Sequence, residues 1–423
     1  MTIALRRVTA DDWQEWRTVR LAALAEAPDA FGSTLADWQD APEGRWRTRL
    51  SLPDAVDLLA VDTEHEHEHE HEHDHARHDH DHVIGMATGV PDVDDPRRAE
   101  LISMWVAPEA RGSGVARQLI DAVARAMAEH GAEHLELSVM PDNDRARRSY
   151  ERAGFARTDT LGDVLPDGRH ELVMSRDLAA ERTLLAYERG ADRYADRTDD
   201  HRSGLVDDLL ALVPAGSHVL ELGSGPGRDA DALEAAGLRV DRTDGAAAFV
   251  DRLRAAGHDA RLLDVRRDDV GPDEGVRRDD VGPDEGVRRD DVGPDEGARP
   301  DDARPDDDAR PGTAAGWGGP YDAVFANAVL LHVDRDATGP VLERARRAVR
   351  PGGVLAATVK RGDGAGWSDR KLDDPRWFTY WTEDALAAVV SAAGWHGVHV
   401  RETTRPGADE RWLTVTAHRP EED

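Results

Sequence analysis

Apolar positions along this chain fall in short blocks whose period switches between two and about 3.6 residues. Residues 3–8 read as a strand. From Trp13 the apolar positions Trp13, Trp16, Val19, Leu21 and Leu24 recur at helical spacing, with Asp11 or Asp12 as the start signal. A second helical pattern surrounds Trp38 and Trp46. Residues 55–61 and 83–90 read as the two strands of a hairpin, followed by strands at 99–106, 135–139 and 172–178. A helix at 181–197 leads to a short helix at 206–213, ended by Pro214. Beyond it come a strand at 219–222, a helix at 229–236 capped by Gly237, and strands at 238–244 and 260–265. A strand at 321–333, a helix at 341–349, an R-P-G-G turn and a strand at 354–359 complete the pattern. Regular alternation of strand and helix in this second half predicts a doubly wound parallel sheet.

Two segments break the pattern. Between the hairpin strands, residues 64–82 alternate histidine with acid and carry nine histidines. Such a stretch cannot build a core and is expected to be disordered at a hairpin tip. Its imidazoles suit divalent zinc, nickel or copper, so it is either a tolerated low-complexity expansion with adventitious metal binding or a metal buffer. In the second half, V-R-R-D-D-V-G-P-D-E-G occurs three times from residue 265 to 297, and a Pro/Asp/Arg/Gly tail runs to 319. Units with two valines each cannot stack into a solenoid, so 265–319 is expected to be a disordered insert on the sheet's rim.

Charge and cysteine count narrow the classes. The chain has 423 residues and a formal net charge of −32, which disfavours nucleic acid and anionic membrane surfaces as partners. The two low-complexity segments hold nearly half of that charge. There is no cysteine, which excludes disulfides, thiol nucleophiles and Cys-ligated zinc and fits a reducing compartment. With no apolar run of membrane-spanning length and no signal-peptide layout, the expectation is a cytoplasmic protein.

Two glycine-rich turns carry the chemistry. V-L-E-L-G-S-G-P-G-R-D-A (219–230) is a strand, a turn with Gly223, Gly225 and Gly227, and a helix start. Such a turn lets a ligand approach the main chain and points free N–H groups at it. Gly223 to Asp244 spans the distance at which a carboxylate meets ribose hydroxyls in nucleotide-binding units. The second turn is A-R-G-S-G-V-A (110–116), again between a strand and a helix. Glu100, read by strand alternation, would share one face with Ile102, Met104 and Val106. A carboxylate on an otherwise apolar face could be raised in pKa and serve as a base.

The first half resembles the GNAT acetyltransferase superfamily. Arg111, Gly114 and Ala116 match its Q/R-x-x-G-x-G/A motif, and Asn143, Ala146, Tyr150, Gly154 and Phe155 match N-x-x-A-x-x-x-Y-x-x-x-G-F. The resemblance covers roughly residues 1–178. It implies a mixed sheet with helices, acetyl-CoA as donor, and direct attack by a small-molecule or peptide amine. Val106, Arg111, Gly112, Ser113, Gly114, Val115, Ala116 and Asn143 would hold the cofactor, and Tyr150 would be the acid, with Glu100 taken as the base.

The second half resembles class I S-adenosylmethionine-dependent methyltransferases over about 181–420. The resemblance rests on E-L-G-S-G-P-G, acids at 244 and 264, the strand at 321–327 and R-P-G-G-V-L. A dehydrogenase is disfavoured by the two-by-two glycine spacing. The resemblance implies that Glu221, Gly223, Gly225 and Gly227 hold the methionine end and that Asp244 takes the ribose. Asp264 and Val265 would flank the adenine, Asn327 with Ala328 would line the pocket, and the helix around Tyr187 and Tyr194 would lid it. His332 is a candidate base for a reaction that needs alignment more than proton transfer.

The expected molecule is therefore a bifunctional transferase with domains at 1–178 and 179–423, a small-molecule methyl acceptor and no resident metal. The rival readings are that only one domain turns over and the other is a cofactor-binding regulatory module, or that the histidine tract makes this a metal-handling protein.

Overall fold

The alternation at residues 3–8 forms β1 (Ile3–Val8), the edge of a sheet continued by β2 (Val56–Asp62), β3 (Val83–Pro91), β4 (Arg98–Val106), β5 (His134–Val139), β6 (Ala156–Val164) and β7 (His170–Asp177). The computed structural model describes residues 2–63, 83–165, 167–198, 203–266, 316–370, 372–404 and 410–421. The histidine tract and the repeats from 267 onward lie outside the described residues. Two compact units emerge: Met1–Tyr187 with Trp367–Trp377, and Glu188–Gly366 with Phe378–Asp423.

In the first unit the seven strands run in the order β1-β2-β3-β4-β5-β7-β6. Every neighbouring pair is antiparallel except β4 with β5. One face is covered by α4 (Val115–Glu129), which buries Leu119, Val123 and Met127 against β2 to β5. The other face packs against α1 (Trp13–Glu26) and α3 (Glu43–Arg49) through Trp16, Val19 and Trp46, with the short α2 (Leu35–Trp38) between them. Asp12 is the N-cap residue of α1, without a side-chain cap bond; its carboxylate instead reaches back to Thr9 N, and the Thr9 hydroxyl accepts from Asp11 N, so the two cap the 3-10 turn Ala10–Asp12 that leads in. Sequence pattern did not find β6, because it is an edge strand with no buried residue.

β4 departs from ideal alternation at one point. Met86 pairs with Trp105 and Thr88 with Ile102, so three steps on β4 match two on β3. The extra residue is Ser103, whose φ of 55° marks a bulge. Strand phase therefore flips. Met104 and Val106 pack with the α4-side core, whereas Glu100 and Ile102 oppose Val90 and Thr88 on the other face. The expectation that Glu100, Ile102, Met104 and Val106 share a face is thus corrected. β4 pairs with β5 only from Arg98 to Glu100, and from there to Val106 and Val139 the two strands no longer pair with each other, leaving a gap between them.

α5 (Asp144–Arg152) follows β5, and α6 (Ala179–Arg197) begins the passage to the second unit. The units divide within α6, at Tyr187, and residues 367–377 join the first unit. There Trp377 N donates to Thr183 Oγ1 at 2.9 Å, and Arg182 stacks on Trp367 at 4.5 Å.

The second unit contains α7 (Leu205–Leu210), β8 (His218–Leu222), α8 (Arg228–Ala235), β9 (Arg239–Asp244), α9 (Ala247–Ala255), β10 (Ala260–Leu262), β11 (Tyr321–Asn327), α10 (Arg335–Ala348) and β12 (Val349–Lys360). A ribbon of β13 (Ala365–Ser368) and β14 (Arg376–Thr379) is followed by α11 (Glu383–Ala392), β15 (His396–Thr404) and β16 (Arg411–His418). The main sheet has the order β10-β9-β8-β11-β12-β16-β15. It is parallel from β10 to β12, as the alternation predicts, and antiparallel at β16 and β15.

The strand expected over 321–333 ends at Asn327, and Leu330–His332 is a single 3-10 turn. The insert expected over 265–319 has packed ends. Trp317 is fully buried, its carbonyl accepts from Arg261, and Val265 lies against the core. Among the described residues, no helix is long and apolar enough to cross a membrane.

Candidate functional site

The bulge and the β4–β5 gap shape the first site. A cavity of about 660 Å³ passes through the gap, lined by Met104 and Val106 of β4, Ser138 and Val139 of β5, and Tyr150 of α5. Glu26 and Phe31 border it on the α1 side. Arg111, Gly112, Gly114 and Ala116 form its far wall, where α4 begins. Gly114 is the N-cap of α4 with φ of 96°, and a Cβ there would meet nothing within 4 Å. The main chain is therefore bare toward the cavity, with the N–H groups of the first turn of α4 unused by the helix.

The other residues of this turn do different work. Arg111 Nε donates to Val106 O at 3.0 Å, and its Nη2 pairs with Glu26 at 2.6 Å. Ser113 Oγ donates to Ala110 O, and the Val115 side chain is buried in the core. Neither side chain lines the cavity. Asn143 lines it while capping α5, accepting from Ala146 N at 3.1 Å.

Tyr150 packs edge-on against Phe155, and burial pushes its phenol up to about 12. Glu100 is not a lining residue. It lies on the face away from α4, and its carboxyl is raised, first by partial burial and then by the charges of Asp92, Glu171, Asp163 and Glu136.

The second site grows from the turn after β8. Here the three glycines divide their tasks. A Cβ on Gly223 would lie 2.4 Å from Val329 Cγ2, and one on Gly227 would lie 2.7 Å from Leu253, so both are needed for packing. A Cβ on Gly225, at φ of 52°, would meet nothing within 4 Å. Gly225 is thus the bare point of the turn. Its N–H donates to Asp244 Oδ2 at 2.8 Å, while Asp244 Oδ1 accepts from Ala246 N at 2.9 Å. Burial pushes the Asp244 carboxyl up to about 6, against those two hydrogen bonds.

Glu221 lies beneath the turn. It is buried, its carboxyl rises to about 8 through loss of water, and its Oε2 has no hydrogen-bond partner. The Ser224 hydroxyl lies beside it, also buried, and works against the rise. An orphaned buried oxygen is costly, and a donor-bearing ligand would relieve Glu221 Oε2.

Asp264 is held by Arg266 through Nε at 2.9 Å and Nη2 at 2.7 Å, and Val265 O accepts from Arg344 at 3.0 Å. Asn327 is engaged at both ends: Nδ2 donates to Asp229 at 2.7 Å, and Oδ1 accepts from Thr358 Oγ1 at 2.7 Å. The next residue, Ala328, has φ of 60°, a strained conformation for a side chain. His332 stacks against Phe378 at 4.7 Å. Tyr194 packs edge-on against Phe249, whereas Tyr187 belongs to the first unit and accepts from Arg376 at 3.0 Å.

Sequence reasoning missed Glu188. Its two oxygens accept from Ala247 N and Ala248 N at the start of α9, and its charge helps raise Asp244. It also missed Asp229, which joins Ser203 N to Asn327. Both act across long sequence separations that no local pattern signals.

Two bare-backbone turns, each at a helix N-terminus, give the chain two nucleotide-type cofactor folds. The model of the acetyltransferase (GNAT) family matches residues 33–155, and a methyltransferase domain model matches residues 194–400. The chain therefore joins a GNAT-family acetyltransferase domain to a methyltransferase domain, the families of which use acetyl-CoA and S-adenosylmethionine.

A mycothiol acetyltransferase of Propionibacterium freudenreichii subsp. shermanii is 41% identical over 73 residues, 17% of this chain and 23% of that protein. The chain thus spans about a quarter of that relative's length. Among solved structures, the 1,6-didemethyltoxoflavin-N1-methyltransferase of Burkholderia thailandensis, with bound 1,6-didemethyltoxoflavin and S-adenosylhomocysteine, is 20% identical. The match covers 63% of this chain and 95% of that one, with a TM-score of 0.38. The PaiA N-acetyltransferase of Thermoplasma acidophilum, in complex with coenzyme A, is 17% identical. It covers 42% of this chain and 99% of that one, with a TM-score of 0.31.

Proposed function

We propose that the chain is a bifunctional transferase whose first unit moves an acetyl group from acetyl-CoA to an amine and whose second moves a methyl group from S-adenosylmethionine to a small-molecule acceptor. The observation that carries this reading is the pairing, in each unit, of a glycine open to solvent-sized space with a cofactor-family match: Gly114 in one and Gly225 in the other.

In the first unit the main chain of Gly112 to Ala116 holds the diphosphate, and Val106 and Asn143 border the arm. The thioester supplies an activated acyl group when bound. The β4–β5 gap lets the amine reach it from the face opposite α4. Tyr150, kept protonated by burial, donates a hydrogen bond to the departing sulfur. Glu100, with its raised carboxyl on the opposite face, is the proposed proton acceptor for the amine.

In the second unit the Oε2 of Glu221 meets the ammonium of the methionine end, Gly223 to Gly227 follow it, and Asp244 takes the ribose hydroxyls. Asp264 and Val265 flank the adenine, which requires the Asp264–Arg266 pair to open. Asn327 borders the methyl. The sulfonium supplies the electrophile, and the protein's part is alignment and exclusion of water.

The test is turnover on a broad amine and small-molecule panel, with release of CoA thiol and formation of S-adenosylhomocysteine followed separately. Tyr150→Phe and Glu100→Ala are expected to depress the first signal and leave the second. Asp244→Ala is expected to do the reverse. Retention of both signals in all three variants would sink the residue assignments.

A further inference from the structure

We propose that the amine taken by the acetyltransferase unit carries an anionic group, a carboxylate or a phosphate, and that Arg20 receives it. This rests on the acetyl-transfer reading above and names the class of its acceptor. Arg20 lies on α1, with its guanidinium 4.3 Å above the Phe31 ring, and Phe31 borders the cavity that runs through the β4–β5 gap. Its Nη1 is buried and makes no hydrogen bond among the described residues. Burial, and then the nearby Arg49 cation, lower its pKa to about 10.

Arg49 is bonded through both terminal nitrogens, and its partners fix where this corner lies. It donates to Asp57 at 3.2 Å, to Thr88 at 3.0 Å and to Ser103 Oγ at 3.4 Å. Ser103 is the bulge residue of β4, next to Met104 in the cavity wall. Asp57, the carboxylate that Arg49 bonds, also accepts from Thr88 Oγ1 at 2.6 Å and feels the charge of Arg7.

Two guanidinium groups therefore stand near one another, Arg49 bonded to its carboxylate and Arg20 with its Nη1 unbonded. A buried cation without a partner is expensive to maintain. A planar guanidinium with free N–H groups is the side chain best matched to a carboxylate or phosphate. Arg20 lies on α1, whereas the diphosphate cradle is the start of α4.

The test uses the full-length protein saturated with CoA, so that the cofactor's anion site is filled. Inorganic phosphate and acetate are added in turn, and the unfolding midpoint is read for wild type, Arg20→Gln and Arg20→Lys. At least one anion is expected to raise the wild-type midpoint, with the shift lost in Arg20→Gln and partly kept in Arg20→Lys. Which anion acts tells phosphate from carboxylate.

In turnover, alanine is compared with alaninamide and phosphoethanolamine with ethanolamine. The charged member of one pair is expected to be preferred by about 10-fold or more, from loss of a charged hydrogen bond in its counterpart. That preference should vanish in Arg20→Gln. Equal anion shifts in wild type and Arg20→Gln, or charged acceptors no better than neutral ones, would overturn the proposal. So would a large fall in the midpoint of both variants, which would make Arg20 a core residue. Failure of CoA itself to raise the midpoint would instead remove the acetyl-transfer reading.

Discussion

Gly223 and Gly225 lie in one turn, yet alanine at each should fail in a different way. At Gly223, φ is 67° and a Cβ would lie 2.4 Å from Val329 Cγ2. The left-handed backbone costs about 1–2 kcal/mol for a non-glycine residue, and forced overpacking adds about 1–3 kcal/mol. Gly223→Ala should therefore destabilise the methyltransferase unit by about 2–5 kcal/mol. At Gly225, φ is 52° but no atom lies within 4 Å of the added Cβ. Only the backbone cost of about 1–2 kcal/mol applies, while the methyl group stands where a ligand would approach the main chain. Urea unfolding of both variants measures the first effect, and titration with S-adenosylhomocysteine measures the second. Gly225→Ala should be the more stable protein and the weaker binder, by about 10-fold or more if one charged hydrogen-bond contact is displaced. Wild-type affinity in Gly225→Ala, or equal stability of the two variants, would refute the division of labour.

Glu221, with its pKa raised from 4.5 to about 8, holds a proton in the folded unit that the unfolded chain has released across that interval. Its contribution to stability is complete below the unfolded value and is lost as pH rises through the folded one. Asp244, raised from 3.8 to about 6, acts with the same sign lower down, so the decline between pH 6 and 8 belongs to Glu221. Thermal midpoints without cofactor should fall over that range in wild type and stay flat in Glu221→Gln. Affinity for S-adenosylhomocysteine should rise over the same range only in wild type, because the carboxyl must ionise to meet an ammonium.

Tyr150→Phe should lower acetyl transfer by about 100-fold, the low end of what a positioned acid supplies, with acetyl-CoA affinity unchanged in a binding titration. Trp317→Ala should cost about 3–5 kcal/mol in urea unfolding, because the residue is fully buried although it stands at the end of the low-complexity insert.

Both glycine turns were legible in the sequence because their cause is local: strand, bare backbone, helix start. That β10 to β12 run parallel followed from alternation alone, whereas their order in the sheet did not. Other features needed the third dimension. The bulge at Ser103 has no residue signal of its own, since it exists only in the register of β4 against β3, and it moved Glu100 off the face first assigned to it. β6 was silent because an exposed edge strand carries no buried period. Trp317 was hidden by the composition of its neighbours. The Arg20–Arg49 corner and the Glu188 carboxylate draw partners from elements dozens of residues away, so their roles could be read only from the packed chain.

The central claim is that one chain holds two separate cofactor sites. Calorimetric titration of the full-length protein with acetyl-CoA, and separately with S-adenosylmethionine, tests it most directly. One equivalent of each should bind, with Gly225→Ala weakening only the second. Heat from neither ligand, or from only one, would contradict the account for the silent unit.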